Sequence, residues 1–336
     1  MKFTFVNIWT LLFGIFVTHS LYSQDPIFSQ FYAAPLQINP AFTGNTYTPN
    51  IALNARNQWS GWPGSAYATY AASVDQFIEP LNIGIGIMAS SDNAGDGLYL
   101  INNLSGFFSY KIKMDNDWNI KLGVEAGAWQ TRVNWGKIVF GDQLDERDGM
   151  NGKIPTQEDI PMENGRTVLD ISAGLLVYGP IFYGGVSLKH INTPDDVIFA
   201  GSRDFVTGLP VRYSAHAGAQ IVLRDGNKRR MNTFISPNIL FERQVNLNQV
   251  NVGAYGGIGA IFAGAWYRHT FTNADAAIVL IGFRQKAFKI GYSYDFTVSS
   301  SLTNSNSTGS HELSIGINFD YKRRKVNYND CFELFR

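Results

Sequence analysis

The chain has 336 residues, with 27 Lys and Arg against 27 Asp and Glu, so its formal net charge is zero. That balance offers no field to attract nucleic acid or a charged membrane surface. Charged residues make up only 16% and aromatics 14%, with 33 glycines, and the single Cys331 excludes an internal disulfide framework.

Met1 and Lys2 open the chain, "FTFVNIWTLLFGIFV" follows as an apolar core, and "THSLYSQ" supplies small and polar residues. A basic start, an apolar stretch and a small-residue site define residues 1–23 as a signal peptide cleaved near Ser23. The absence of Cys around that site excludes a lipid-modified start. Residues 24–48 contain "DPIFSQFYAAPLQINPAFTG" and show neither helical nor strand periodicity. Phe28, Phe31, Tyr32, Leu36, Ile38 and Phe42 are too apolar for a solvated tail, while Gln30, Gln37, Asn39 and Asn45 suit a polar cavity. The expectation is a plug-like segment, inside a barrel or across its periplasmic mouth.

From 49 to 322 the pattern has a period of two. In "FKIGYSYDF", Phe288, Ile290, Tyr292, Tyr294 and Phe296 share one face, and Lys289, Gly291, Ser293 and Asp295 the other. "WNIKLGVEAGA", "VRYSAHAGAQIVL", "IALNARNQW" and "ELSIGINFDY" alternate likewise. Scarce charge and repeated apolar faces point to an all-β protein, a transmembrane antiparallel β-barrel of about fourteen strands. Strands are expected at 51–60, 66–76, 81–90, 98–113, 118–133, 168–178, 181–191, 211–224, 231–242, 245–256, 259–269, 276–285, 287–296 and 310–321. Twelve is the other count the pattern allows, because Pro237 weakens 231–242 and 245–269 is rich in glycine. The uncharged run 244–267 contains Gly253-x-x-x-Gly257, yet its amides and glycines disfavour a membrane helix.

The connections 91–97, 134–167, 192–210 and 297–309 are long, and the alternate ones are short. Long loops on one side and short turns on the other place the chain in the outer membrane, with both termini periplasmic and 323–336 as a C-terminal periplasmic extension. Trp59, Trp62, Trp118, Trp129, Trp135, Tyr178, Tyr183, Trp266 and Tyr292 lie near strand ends, where interfacial girdles belong. Arg56, Asp75, Lys121, Glu125, Lys189, Arg212, Asp295 and Glu312 fall on polar faces and are expected in the lumen. There they pair with one another or with the plug, or line a wet channel.

Signals for catalysis are missing. His311-Glu312 lacks a second His at helical spacing, and neither G-x-S-x-G nor a phosphate-binding loop occurs. "DQLDERDGMNG" is acidic but lacks the spacing of a calcium loop, so it reads as a solvated extracellular loop, with weak Ca²⁺ binding as the alternative. No enzyme activity, cofactor or metal is expected.

The opening segment resembles the PorP/SprF family of Bacteroidetes outer-membrane proteins. The family's pattern is met by Asp25, Phe28, Ser29, Gln30, Phe31, Asn39, Pro40, Ala41, Phe42 and Gly44. "RNQW" at 56–59, "FGDQLD" at 140–145, "GYSYD" at 291–295 and "SHELSIG" at 310–316 follow in order. The resemblance implies a barrel of the type IX secretion and gliding machinery, supporting export or surface attachment of large proteins such as adhesins. The implied partners are the C-terminal secretion domain of the exported protein, a periplasmic peptidoglycan-binding OmpA-like protein and outer-membrane lipid. A FadL-like transporter of hydrophobic molecules, to which Asn39-Pro40-Ala41 is also similar, and a passive porin are the rival readings.

Overall fold

Strict alternation leaves each strand with one greasy and one polar face, and lipid forbids unpaired strand edges, so the sheet closes on itself. A computed structural model of the chain describes residues 25–59, 67–114, 117–145, 149–150, 155–158, 165–195, 208–226, 232–271, 273–285, 287–298, 309–319, 331–332 and 335. The expected signal peptide and Trp62 lie outside them. The strands are β1 (Asn50–Gln58), β2 (Tyr67–Ile78), β3 (Ile83–Ala94), β4 (Tyr99–Lys113), β5 (Asn119–Val133), β6 (Gly165–Tyr178) and β7 (Phe182–Lys189). Then come β8 (Arg212–Ala219, continued by Ile221–Arg224), β9 (Thr233–Gln244), β10 (Leu247–Ile258), β11 (Ile261–Thr270), β12 (Asn273–Gln285), β13 (Phe288–Thr297) and β14 (Ser310–Asn318). Each pairs antiparallel with its chain neighbours, and β14 pairs with β1 to close a 14-strand ring.

The usual inside-out distribution of a water-soluble protein is reversed. Ile87, Leu104, Val124, Val186, Val279 and Ile281 are among many large apolar side chains exposed on the outer wall. Ser73, Ser105, Ser109, Ser172, Ser187, Ser214, Ser236, Ser293 and Ser314 are buried on the inner wall. Small polar side chains inside leave space for something other than wall. Towards the long-loop end the outer face turns polar, where Ser91 bonds Asn102 at 2.9 Å and Gln130 bonds Thr167 at 3.3 Å. Such a row belongs at a boundary between hydrocarbon and headgroups.

Both weak segments are strands. Pro237 lies on the outward face of β9 and has no N–H to give its neighbour. The register on either side, Gly218 opposite Asn238 and Ile221 opposite Ile235, places Ala219 opposite Pro237. The Ser236 hydroxyl donates instead to the Ala219 carbonyl at 2.6 Å. This exchange explains why β8 is interrupted at Gln220 without losing register.

Four expectations change. Residues 91–97 are mostly strand, because β3 runs to Ala94 and leaves only a tight turn before β4. The last strand ends at Asn318, short of 321. The girdle divides: Trp118 and Tyr292 are exposed outward, but Trp129, Trp135, Tyr178, Tyr183 and Trp266 are buried. Of the segment expected as a periplasmic extension, the three described residues, Cys331, Phe332 and Phe335, are buried and pack in the interior cluster.

Replacing Ser236 by Ala strips the Ala219 carbonyl of its donor in a wall position that water cannot serve. The expected loss is about 1–3 kcal/mol, the cost of an unsatisfied buried acceptor, measured by urea unfolding in phospholipid vesicles. Ser236→Thr, which keeps the hydroxyl, should recover most of it.

Candidate functional site

The site is the lumen, filled by residues 25–49 before the chain enters β1. The expectation places the start of this segment on the short-turn side. Asp25 instead sits at the opposite, long-loop end, among His190 after β7, Arg212 at the start of β8 and Gln244 at the end of β9. From there the segment runs the length of the lumen to Gly44, beside the β2–β3 turn.

Asp25 is held from every side. Its carboxylate meets Arg212 Nη1 at 3.1 Å, His190 Nε2 at 2.8 Å and Gln244 Nε2 at 3.1 Å, and its backbone N–H donates to Gln244 Oε1 at 3.0 Å. His190 Nδ1 lies 2.9 Å from Asp170. Burial alone would raise the Asp25 pKa, but His190 and Arg212 overcome it and hold the carboxyl far below its ordinary range. Burial likewise disfavours charged His190, and the Asp25 and Asp170 carboxylates reverse that, lifting it to about 9.

Next comes a node of charge. Glu312 on β14 accepts the backbone N–H groups of Ser29 and Gln30, each at 2.8 Å. The Ser29 hydroxyl donates to Asp295 at 2.6 Å and accepts from Arg56 at 2.7 Å and Arg268 at 3.1 Å. Arg56 lies 3.3 Å from Asp295 and 3.7 Å from Glu312, and Arg268 joins Asp295 at 3.1 Å and also pairs with Asp275. The Gln30 side chain bonds Ser293 at 3.1 Å and accepts from Ser314 at 2.6 Å. A buried carboxylate that accepts two amide hydrogen bonds and lies beside a guanidinium has partners in place of the water it has lost.

Next to the node, toward the short turns, the inner faces of β10, β11 and β12 are apolar. Tyr32, fully buried, packs on Tyr255, Phe262 and Trp266 with ring centroids 5.5, 6.3 and 6.4 Å away, and Phe31 meets Trp266 edge-on at 6.2 Å. Ile278 and Leu280 of β12 share this inner cluster, and Phe28 packs with Ala34 and Ala71. The segment therefore matches a wall that is charged on one side and aromatic on the other.

The Asn-Pro-Ala-Phe motif closes the descent. Asn39 caps the short turn Pro40–Phe42 by accepting the Ala41 N–H at 2.8 Å. Its amide donates to the Leu175 carbonyl at 3.0 Å and the Val186 carbonyl at 3.2 Å, and approaches His216 at 3.1 Å. The backbone can come this close because Gly123 and Gly174 face it. A Cβ on Gly123 would lie 2.2 Å from the Ala41 nitrogen, and one on Gly174 1.9 Å from Asn39 Oδ1. Gly44 has φ +72° and donates to Asp75 Oδ2 at 2.7 Å, while Lys121 Nζ donates to the Thr43 and Gly44 carbonyls at 2.5 and 3.2 Å. Lys189 pairs with Glu125 at 2.9 Å.

All eight lumen charges read from the sequence face inward, and they form several separate groups rather than one. Asp170, His190, Arg268 and Asp275 join them. Arg268 shares the face of Trp266 in β11, so correct assignment of that Trp to the interior would have placed it.

Glu312→Ala leaves two amides without an acceptor and deprives Arg56 of one of its two anionic neighbours. Loss of about 3–5 kcal/mol, typical of a broken buried pair, is expected, with proteolysis appearing between residues 25 and 34 of a barrel that stays folded. The Asp25 clasp should also depend on pH. Asp25, with its lowered pKa, contributes above the ordinary value of 3.8 and loses that contribution as pH falls below it. His190 contributes fully below 6.5 and loses its contribution as pH rises through about 9. Protection of the amides of residues 25–29, relative to their intrinsic exchange, should therefore fall on both sides of this window, and His190→Gln should abolish the alkaline step and move the acid step to higher pH.

Among curated proteins none matches the chain. Among solved structures it is similar to a Pseudomonas aeruginosa FadL homologue, with 12% identity and TM-score 0.42 over 90% of this chain and 96% of that one. It is also similar to a variant of the Rhodopseudomonas blastica porin, with 7% identity and TM-score 0.35 over 80% and 99%. The model of the family described as type IX secretion system membrane protein PorP/SprF matches residues 20–317. With nearly the whole barrel and its filled lumen inside that match, the chain belongs to the PorP/SprF family of type IX secretion system membrane proteins.

Proposed function

We propose that this protein is an outer-membrane component of the type IX secretion and gliding machinery that works by binding and not by conduction or catalysis. Its long-loop end faces the cell surface and receives particular large exported proteins, adhesins among them, through their C-terminal secretion domains. It supports their export or attachment. Its short-turn end faces the periplasm, where a peptidoglycan-binding OmpA-like protein is the proposed second partner.

One observation carries this reading: the lumen is full. The cavity bounded by Asp25, Trp129, His190 and Arg212 has about 30 Å³, and that beside Lys289 and Phe335 about 10 Å³. The first has room for one or two waters and the second for one at most, whereas a site for a hydrophobic small molecule needs roughly 300 Å³ or more. Lumen cavities of this size favour a binding role over a fatty-acid carrier or a passive porin; the larger hollows, about 620 and 630 Å³, are lined mainly by outward-facing residues such as Tyr213, Leu53 and Leu104. The loop between β5 and β6 has structure of its own for recognition, since Asp142 accepts from the Thr156 hydroxyl at 2.9 Å and the Gln157 N–H at 2.6 Å.

Deletion of the gene should remove one or a few specific proteins from the cell surface while growth on fatty acids stays normal. Reintroduction with residues 134–164 replaced by a short turn should restore the barrel but not the surface protein. An unchanged surface proteome combined with impaired fatty-acid uptake would reject the proposal.

A further inference from the structure

The inner-wall arginines have carboxylates beside them: Arg212 meets Asp25 at 3.1 Å and Arg56 meets Asp295 at 3.3 Å. Arg243 points the other way. It shares the parity of Ile235 and Ile239, which face outward, and is exposed at the long-loop end of β9. In register it lies between Tyr213 of β8 and Asn248 of β10, so neither cross-strand neighbour carries a negative charge. It borders a hollow of about 620 Å³ on the outer wall, lined otherwise by Pro210, Val211, Tyr213, Phe241 and Val245. Val245 and Asn246 alone join β9 to β10, so the hollow opens beside a two-residue turn.

We propose that this hollow binds one phosphorylated membrane lipid, with Arg243 gripping the phosphate and Tyr213 and Phe241 lying along an acyl chain. An arginine on the lipid-facing wall is costly at the midplane of a bilayer and nearly free at its interface. Its place at the strand end therefore sets the hollow at headgroup depth. The anion found at that depth is phosphate, which a guanidinium meets with two parallel hydrogen bonds. The rest of the lining is apolar or aromatic, which rewards an attached chain and gives nothing to a free ion. Phe241 lies on the midplane side of Arg243 along β9 and meets Phe271 edge-on at 6.3 Å, so the ring is braced from the side. One cation in an apolar hollow is complementary to an amphiphilic anion. The inference needs only the membrane barrel and stands apart from the secretion reading.

Phosphatidic acid, a bare phosphate on two acyl chains, is the probe, and diacylglycerol with the same chains is its uncharged counterpart. Native mass spectrometry of the protein released from detergent should show one phosphatidic acid bound saturably and no saturable diacylglycerol. Arg243→Gln should weaken phosphatidic acid about tenfold or more, the loss of one charge-assisted pair, while unheated electrophoresis still shows a folded barrel. Val211→Trp, which fills the hollow and leaves the guanidinium in place, should weaken it as much. Arg132→Gln, at the long-loop end of β5 beside Leu100 and Gly165, should bind like wild type. Millimolar inorganic phosphate should not displace the lipid. Equal binding of the two lipids, or phosphatidic acid binding unchanged in either hollow variant, overturns the proposal. So do an equal loss in Arg132→Gln and displacement by inorganic phosphate.

Discussion

Glu312 beside Arg56, its directly paired neighbour on the adjacent strand β1, with the Ser29 and Gln30 amides aimed at it, is the contact on which the architecture turns. A closed ring of strands satisfies its own backbone but does nothing for charges on its inner face. Those charges stay soluble in a water-filled pore, or find partners in a dry one. Here the wall provides both signs, and the N-terminal segment provides amides and a hydroxyl in the remaining directions. Each of these ions would cost several kcal/mol if left desolvated and alone, so wall and segment are one folding unit. The serines and glycines of the inner face follow from the same constraint, since they make the space the segment fills.

Filling changes what the barrel is able to do. An open fourteen-strand ring is a conduit whose inner charges select solutes. This one is a wall around a second layer of chain, which leaves its two ends as the polar surfaces outside the hydrocarbon. The two ends are unlike. At one, where the long connections begin, lies a carboxylate clasp of Asp25, His190 and Arg212; at the other, near the short turns, lie stacked rings. Membership of a secretion family and a lumen filled among the described residues fit the proposal of a protein that holds others at its rims.

Much of this was legible in the chain before any coordinates. Alternation in "FKIGYSYDF" and "WNIKLGVEAGA" names the lipid face residue by residue, because a period of two permits no compromise. Even β9 was countable despite Pro237, since a hydroxyl one residue away repairs the ladder. The girdle failed where nearness to a strand end was read without its face. Trp129 has the parity of Lys121 and Glu125, so it points inward with them. The aromatic wall was hidden for a related reason: "AAIVLIGF" in β12 is apolar on both faces, one meeting lipid and the other Tyr32 and its neighbours. The direction of the N-terminal segment could not be read at all, because a stretch without period carries no register.

The two fillings of the lumen obey different physics, and this orders their stability. Charge-assisted hydrogen bonds in a low-dielectric interior are strong and geometrically exacting; they hold the polar half all together or not at all. Stacked rings tolerate displacement and lose contact gradually. Phe42 belongs to both, since its chain neighbours Asn39 and Gly44 are pinned by hydrogen bonds while its ring is shared between His216 and Phe335. A disturbance entering from the short-turn end therefore meets adaptable packing first and reaches the charged node only after Phe42 has lost its cover. From the long-loop end the order is reversed, and the first contact to yield is the Asp25 clasp. The short-turn end thus combines ring packing around Phe42 with the Asp75 and Lys121 bonds to Thr43 and Gly44, whereas the long-loop end is held by the charged clasp.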